Sequence, residues 1–496
     1  MIEYRLLLAS PESHQLQIEL HIENPDPQGQ VVYLSAWIRG SYMIRDFARN
    51  IIMIEAFSDN TRVLGRKLDK QTWQFDPTDG PLTIRYWVYA WELSVRAAHF
   101  DTTHAYFNGA CLFLAAESQE HQPCRLRVES PDDPRFSSWR IATGMPAVRI
   151  DSLGFGDYES KNYEALMDYP FEIGEFKDFT FNVSNKPHRL VVSGMPDLDL
   201  EPVCKHLEMI CTQQVALFGE LPVDDYHFLL RIVGDGYGGL EHRNSTSLIF
   251  PRSELFARSE QTITSGYRRL LALCSHEYFH LWNVKRITPE VFQKNGTTKE
   301  VYTRQLWIFE GITSYYDELM LVRSGVIEAQ AYFEMLAETV TRVMRSNGRT
   351  KQTLEESSFD AWTKFYKQDE NAPNALVSYY AKGALLALVI DLTIRLRTSG
   401  QRSLDDVMRY LWTQYGKLNK GLPEGVFENL LSEVSGVDLH ELLDLGLRTT
   451  RDLPLDSVLE SFGVNMKLVT ARSSDDLGGV AKESSPDASE RLTLGA

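Results

Sequence analysis

The chain has 496 residues, enough for two or three domains. Hydrophobic residues make up 43% and charged residues 24%, the proportions of an ordinary globular protein with no shortage of core. The net charge of -17 excludes a general nucleic-acid binder, which needs a basic surface.

Five cysteines, Cys111, Cys124, Cys204, Cys211 and Cys274, form no CxxC pair; this sparse, odd set fits reduced thiols and no cysteine-held metal. Met1-Ile2-Glu3-Tyr4-Arg5 is not followed by a long apolar core, and no stretch approaches the roughly 18 apolar residues of a membrane span. The expectation is a cytoplasmic protein with no membrane partner.

Residues 1–170 read as β structure. Segments 15–22 and 125–129 alternate polar and apolar, and 82–89 is rich in β-branched and aromatic side chains. Asn24-Pro25-Asp26-Pro27 and Asp79-Gly80 mark turns between such runs. A sandwich-like β domain is predicted, with the aromatic run 86–91 in its core. A second β portion, 179–193 and 226–249, follows, with a helix over 201–218 between its pieces. From about residue 259 the period becomes helical. Segments 259–284, 303–324, 328–346, 381–397 and 403–416 are predicted helices; 423–435 and 439–448 add a shorter pair, capped at Asp438. The polar end, 473–496, is predicted to be flexible or partly ordered. No internal repeat is present.

The chemistry is concentrated in the helix predicted over 259–284. His276-Glu277-Tyr278-Phe279-His280 places two histidines four residues apart, about 40° around a helix, near enough to hold one metal ion. Tyr267, Leu270, Leu271, Cys274, Phe279 and Trp282 surround them with apolar surface, so buried imidazoles there need partners. Glu277 adjoins His276, where it can act on a water held by the ion. Glu310 lies inside the apolar helical run 306–316, where an uncompensated carboxylate is costly, whereas Glu290 and Glu300 look like solvated loop residues. Two neutral imidazoles and one carboxylate, with a fourth position open, is how catalytic zinc is held in a peptidase. The reading is one zinc per chain on His276, His280 and Glu310. Asp317, two turns beyond Glu310 on the same face, can accept the second ring N–H of a ligating histidine. Upstream, Gly238 and Gly239 let a substrate backbone approach closely, and Glu241 beside them can hold an ammonium group.

With Trp282-Asn283-Val284-Lys285-Arg286 following the histidines, the chain resembles the glycyl aminopeptidase family, the sixty-first metallopeptidase family, within the gluzincin clan. Trp307-x-x-Glu310-Gly311-x-Thr313-Ser314-Tyr315-Tyr316 and Gly40-Ser41-Tyr42-Met43-Ile44-Arg45-Asp46-Phe47 carry the same resemblance, with Arg39 in place of an expected proline. It runs from residue 1 to about 465. It implies an α+β multidomain chain: an N-terminal β-sandwich-like domain over 1–170, and a thermolysin-like catalytic domain over 171–455, with a small β-sheet plus a helical bundle. The remainder, 456–496, is at most the start of a PDZ domain, which is absent or truncated.

The resemblance also implies a zinc aminopeptidase acting on peptides with a free N-terminus, glycine and alanine foremost. Gly238-Gly239-Leu240-Glu241-His242 resembles the exopeptidase strand of the related aminopeptidase N family, whose acidic residue binds the substrate's α-amine; His242 replaces the usual asparagine. Tyr380-Ala381-Lys382-Gly383 resembles the clan's Tyr-x-Lys-Gly motif, in which the tyrosine donates to the tetrahedral oxyanion. Tyr380 is the candidate, and only the motif separates it from Tyr379. An endopeptidase with the same zinc site is the alternative reading. A silent binding protein is a third, against which the complete His, Glu, His, Glu and Tyr set argues.

Overall fold

Along Gln15–Ile22 the side chains Leu16, Ile18, Leu20 and Ile22 are fully buried, while the residues between them reach the surface. The neighbouring strand Leu82–Tyr89 is set in matching register, with Leu16 opposite Val88, Ile18 opposite Tyr86 and Leu20 opposite Ile84. The apolar faces therefore merge. Each such side chain contributes about 1.5–3 kcal/mol, and a slip of one residue would turn the whole set to solvent.

The computed structural model describes residues 1–195, 198–255, 263–473 and 476–480. The chain is α+β, β-rich first and helical towards its C-terminus. It divides into two units. The first comprises Met1–Cys204, Val223–Tyr267 and Thr297–Glu300; the second comprises Lys205–Pro222, Arg268–Gly296 and the chain from Val301 onward.

In the first unit, Gln15–Ile22 and Leu82–Tyr89 belong to an eight-stranded sheet, mostly antiparallel, with Ile2–Ser10 parallel to Cys124–Val128. Two four-stranded sheets accompany it. A five-stranded sheet has Gly238–Glu241 at one edge, antiparallel to Ser245–Pro251. The expectation that all of 86–91 is core needs correction. Tyr86, Val88 and Ala90 are buried, but Tyr89 and Trp91 are 41% and 49% exposed, because a strand turns alternate residues outward.

The second unit is built around the helix Ser265–Phe279 from Arg268 onward and the helices Ile312–Arg323 and Ala381–Arg397. The ring of Phe279 stacks on that of Tyr316 at 4.9 Å, and Phe218 stacks on Trp282 at 4.6 Å. Gly311 and Gly383 face each other so closely that a Cβ on Gly383 would lie 2.9 Å from the Gly311 Cα. This contact needs two glycines, and it brings the start of the helix Ala381–Arg397 against the turn that carries Glu310.

The helix predicted over 259–284 stops at Phe279, and its predicted start, 259–262, lies outside the described residues. Apolar residues continue to Val284, which hides the end. Beyond His280 the backbone tightens, with Leu281 N–H donating to Tyr278 and Trp282 N–H to Phe279. The helix predicted over 303–324 is likewise interrupted. Trp307–Gly311 is a π-helical turn in which Ile312 N–H donates to the Trp307 carbonyl, and the α-helix follows it. All five cysteines are buried and none is in a disulfide. No helix among the described residues is long and apolar enough to cross a membrane.

Candidate metal centre

His276 lies in the last turn of the helix Ser265–Phe279 and His280 directly follows its end, with ring centres 4.6 Å apart. The Nε2 atoms are 3.0 Å apart. Glu310 Oε2 lies 3.6 Å from Nε2 of His276 and 3.3 Å from Nε2 of His280. A tetrahedral zinc with bonds near 2.05 Å separates its donor atoms by about 3.3 Å. The three distances bracket that value.

The remaining ring nitrogens explain why the pair converges. His276 Nδ1 is 2.9 Å from Asp317 Oδ2, and His280 Nδ1 is 2.6 Å from the Asn283 carbonyl. Both acceptors require a proton on Nδ1, so in the neutral rings both Nε2 atoms present lone pairs. Two lone pairs at 3.0 Å beside a carboxylate repel unless a cation lies among them. The donor set therefore fits zinc.

The electrostatics agree. Burial alone would raise the Glu310 carboxyl, but the facing imidazoles outweigh it and hold the group down at about 2. Burial would also favour neutral His276, yet the hydrogen bonds to Asp317 and then Glu310 hold its pKa well above the ordinary histidine value. The site favours positive charge, which a divalent ion supplies.

The surrounding chain fixes these groups. Asn283 Nδ2 donates to the Ile308 carbonyl at 3.0 Å, tying the segment after His280 to the turn that bears Glu310. Thr313 Oγ1 donates to the Phe309 carbonyl at 2.6 Å. Ser275 Oγ donates to the Asp317 carbonyl at 2.9 Å, and Gln214 Nε2 in turn reaches Ser275 Oγ at 2.9 Å. Glu277 is 5% exposed, with a carboxylate oxygen within 4.8 Å of a His280 ring nitrogen. The ring of Tyr380 lies 6.2 Å from that of His276, and its hydroxyl is 3.1 Å from the Tyr366 hydroxyl. Tyr379 is fully buried, 4.8 Å from the Phe365 ring.

His276, Glu277, His280, Glu310, Asp317 and Tyr380 thus gather in the second unit. Gly238, Gly239 and Glu241 belong to the first. There the carboxylate of Glu241 is 3% exposed, its Oε1 has no hydrogen-bond partner among the described residues, and a Cβ added to Gly40 would overlap it. Arg96 Nη2 donates to the Gly239 carbonyl at 3.0 Å. The Asn283 carbonyl and the Tyr366 hydroxyl were not among the expected groups. Asn283 stands in the motif after His280, but a backbone acceptor leaves no residue signature, and Tyr366 has no signal in sequence.

The family model of the M61 peptidase N-terminal domain matches residues 3–175, and that of M61 glycyl aminopeptidase matches residues 269–386. The solved structure of an aminopeptidase N family protein from Idiomarina loihiensis is similar at 40% identity and a TM-score of 0.95, covering 97% of this chain and 82% of that one. Two structures from Deinococcus radiodurans share the fold: an M1 zinc metallopeptidase, and a mutant bound to a Tyr-Ser-Ala substrate. They match at 14% and 15% identity, with TM-scores of 0.53 and 0.52. They cover 92% and 91% of this chain, and 94% of each of theirs. No curated protein matches the chain in sequence.

Proposed function

We propose that this chain, which belongs to the M61 glycyl aminopeptidase family and is a zinc metallopeptidase, removes single residues from the free N-terminus of peptides, glycine and alanine foremost. The observation that carries the reading is the convergence of His276 Nε2, His280 Nε2 and Glu310 Oε2 at 3.0, 3.3 and 3.6 Å. These three residues hold one zinc per chain. When bound there, zinc lowers the pKa of water towards about 7 and polarises the scissile carbonyl.

The chain's own residues divide the remaining work. Asp317 and the Asn283 carbonyl keep the two imidazoles in the tautomer that offers Nε2. Glu277 takes the proton from the attacking water and delivers it to the leaving amine. Tyr380 donates its hydroxyl to the oxyanion. Glu241 binds the substrate ammonium; its buried carboxylate has the hydrogen-bonding capacity for it. Gly238 and Gly239 leave room for the substrate backbone along the edge strand.

The test is hydrolysis of Gly-, Ala- and Leu-linked chromogenic amides beside an N-acetylated control, with zinc assayed on the same sample. Zinc near one per chain with cleavage of only the unblocked Gly and Ala substrates is expected. Cleavage of the acetylated control would move the assignment to an endopeptidase. Glu241→Ala should impair free-amine substrates far more than blocked ones, and equal damage to both would sink the amine-anchor role.

A further inference from the structure

A second cluster of the same composition lies in the first unit. The strands Ala98–Phe100 and His104–Asn108 form a tight hairpin in which Tyr106 is paired with His99. Because side chains alternate, His99, Asp101, His104 and Tyr106 share one face. His99 is 5% and His104 2% exposed.

The distances parallel those of the catalytic centre. The imidazole rings of His99 and His104 are 4.8 Å apart, against 4.6 Å for His276 and His280. Asp101 Oδ2 is 3.3 Å from His99 Nε2, and Asp101 Oδ1 is 3.7 Å from His104 Nδ1. At Glu310 a single oxygen, Oε2, lies 3.3 and 3.6 Å from the two rings, whereas Asp101 meets His99 through Oδ2 and His104 through Oδ1, and His104 Nδ1 also lies 3.3 Å from Thr103 Oγ1. One nitrogen from each ring and one Asp101 oxygen all lie within 4.8 Å of one another.

The hairpin holds Asp101 firmly. Its Oδ1 accepts from Thr103 N–H and Thr103 Oγ1, both at 2.6 Å, and from His104 N–H at 3.1 Å. Oδ2 is left towards His99. The cross-strand neighbour of Tyr106 is Glu172, which is 4% exposed. Its Oε1 and His104 Nε2 are buried without hydrogen-bond partners among the described residues, and both residues line one cavity with Tyr106, Arg231 and Ser247. Asp101 and Glu172 together outweigh Arg231 in charge. Buried polar nitrogens, a fixed carboxylate and net negative charge together call for a cation.

We propose that His99, Asp101 and His104 form a second metal site for zinc or a neighbouring divalent transition ion, weaker than the catalytic one. The ligand set, two imidazoles and a carboxylate, selects that class over calcium or magnesium, which prefer all-oxygen sites. The weakness follows from the outer partners. His276 and His280 each give their second nitrogen to an acceptor, whereas His99 Nδ1 and His104 Nε2 have none among the described residues. Loss of such partners typically costs about 10–100-fold in affinity.

The test uses the full chain, stripped of metal and retitrated with buffered Zn2+, with bound ion counted per chain. Two steps are expected, the second needing about 10–100-fold more free zinc than the first. His104→Phe should lose the second step while keeping the first and the peptidase activity. Asp101→Asn retains the acceptor that braces the turn, so it tests the charge without undoing the hairpin; it should lose the second step too. His280→Ala should lose the first step and keep the second. Saturation of the wild type at one ion per chain would overturn the proposal. So would a second step that survives both hairpin substitutions, since that ion would be bound elsewhere.

Discussion

Two clusters in this molecule each bring together a pair of histidines and a carboxylate, one on helices in the second unit and one on a β-hairpin in the first. The ring separations, 4.6 against 4.8 Å, and the nitrogen-to-oxygen distances, 3.3 and 3.6 against 3.3 and 3.7 Å, nearly match, although the helical rings cross at 87° and the hairpin rings at 27°. A further difference lies one layer out. Asp317 and the Asn283 carbonyl fix both tautomers of the helical pair, and the Gln214–Ser275 contacts support Asp317 in turn. The hairpin pair has a braced carboxylate but, among the described residues, no acceptor for its outward nitrogens. Three donors at the right spacing make a metal site conceivable; the outer hydrogen bonds decide how tightly it binds.

The largest expected effect breaks the helical cluster outright. His280→Ala removes a ligand and leaves Glu310 buried beside a single imidazole. The tight zinc should disappear and hydrolysis with it, as metal assay and turnover on the same sample will tell. Full activity with bound zinc would mean that the catalytic ion lies elsewhere. Glu277→Gln should be milder and different in kind. It should lower kcat by about 10²–10⁴-fold, the usual worth of a general base, with zinc retained. If zinc is lost instead, Glu277 is a ligand and not the base.

The helical cluster was legible in the sequence because its spacing is the helix's own. His276 and His280 meet from periodicity alone, and Glu310 stood out as a carboxylate inside an apolar run. The hairpin cluster was not legible. His99, Asp101 and His104 converge only once the turn over 101–103 sets the register of two strands, and no local period announces that. The helix end at Phe279 was hidden because Leu281, Trp282 and Val284 continue the apolar pattern while the contact of Asn283 Nδ2 with the Ile308 carbonyl, from distant chain, overrides it. The eight-stranded sheet was readable strand by strand from alternation. Its order was not, because the parallel pairing of Ile2–Ser10 with Cys124–Val128 depends on a contact more than a hundred residues away.

A fifth histidine sharpens the comparison, because burial outweighs the nearby carboxylate there. His188 is fully buried, with Nδ1 3.0 Å from the Lys186 carbonyl. Burial, with a contribution from His227, pushes its pKa from 6.5 down to about 4. His276 is also largely shielded, with 13% of its side chain exposed, yet the carboxylates beside it drive its pKa the other way. Because the folded pKa of His188 is depressed, its neutral form contributes stability that is fully present above pH 6.5. That contribution is lost as pH falls towards 4, where the unfolded chain already binds the proton. The loss should reach about 3 kcal/mol. His188→Phe, which keeps an aromatic ring against Tyr226 and Phe181, should flatten the change in unfolding free energy between pH 7 and pH 4.5. An unchanged slope would show that another group carries the acid sensitivity.

The smallest effect is the most direct test of what separates the two clusters. Asp317→Asn keeps the size of the side chain and removes the charge that holds His276 in place. The helical cluster would then have one fixed imidazole, halfway to the condition of the hairpin. Its zinc affinity should fall by about 10–100-fold, measured by competition with a chelator, and most of the gap between the two titration steps should close. Turnover at saturating zinc should fall far less than in Glu277→Gln, because no group that moves a proton has been removed. If Asp317→Asn leaves zinc affinity unchanged, outer hydrogen bonds do not set the ranking. The cause would then lie in ring orientation, since the helical imidazoles cross at 87° and the hairpin pair at 27°.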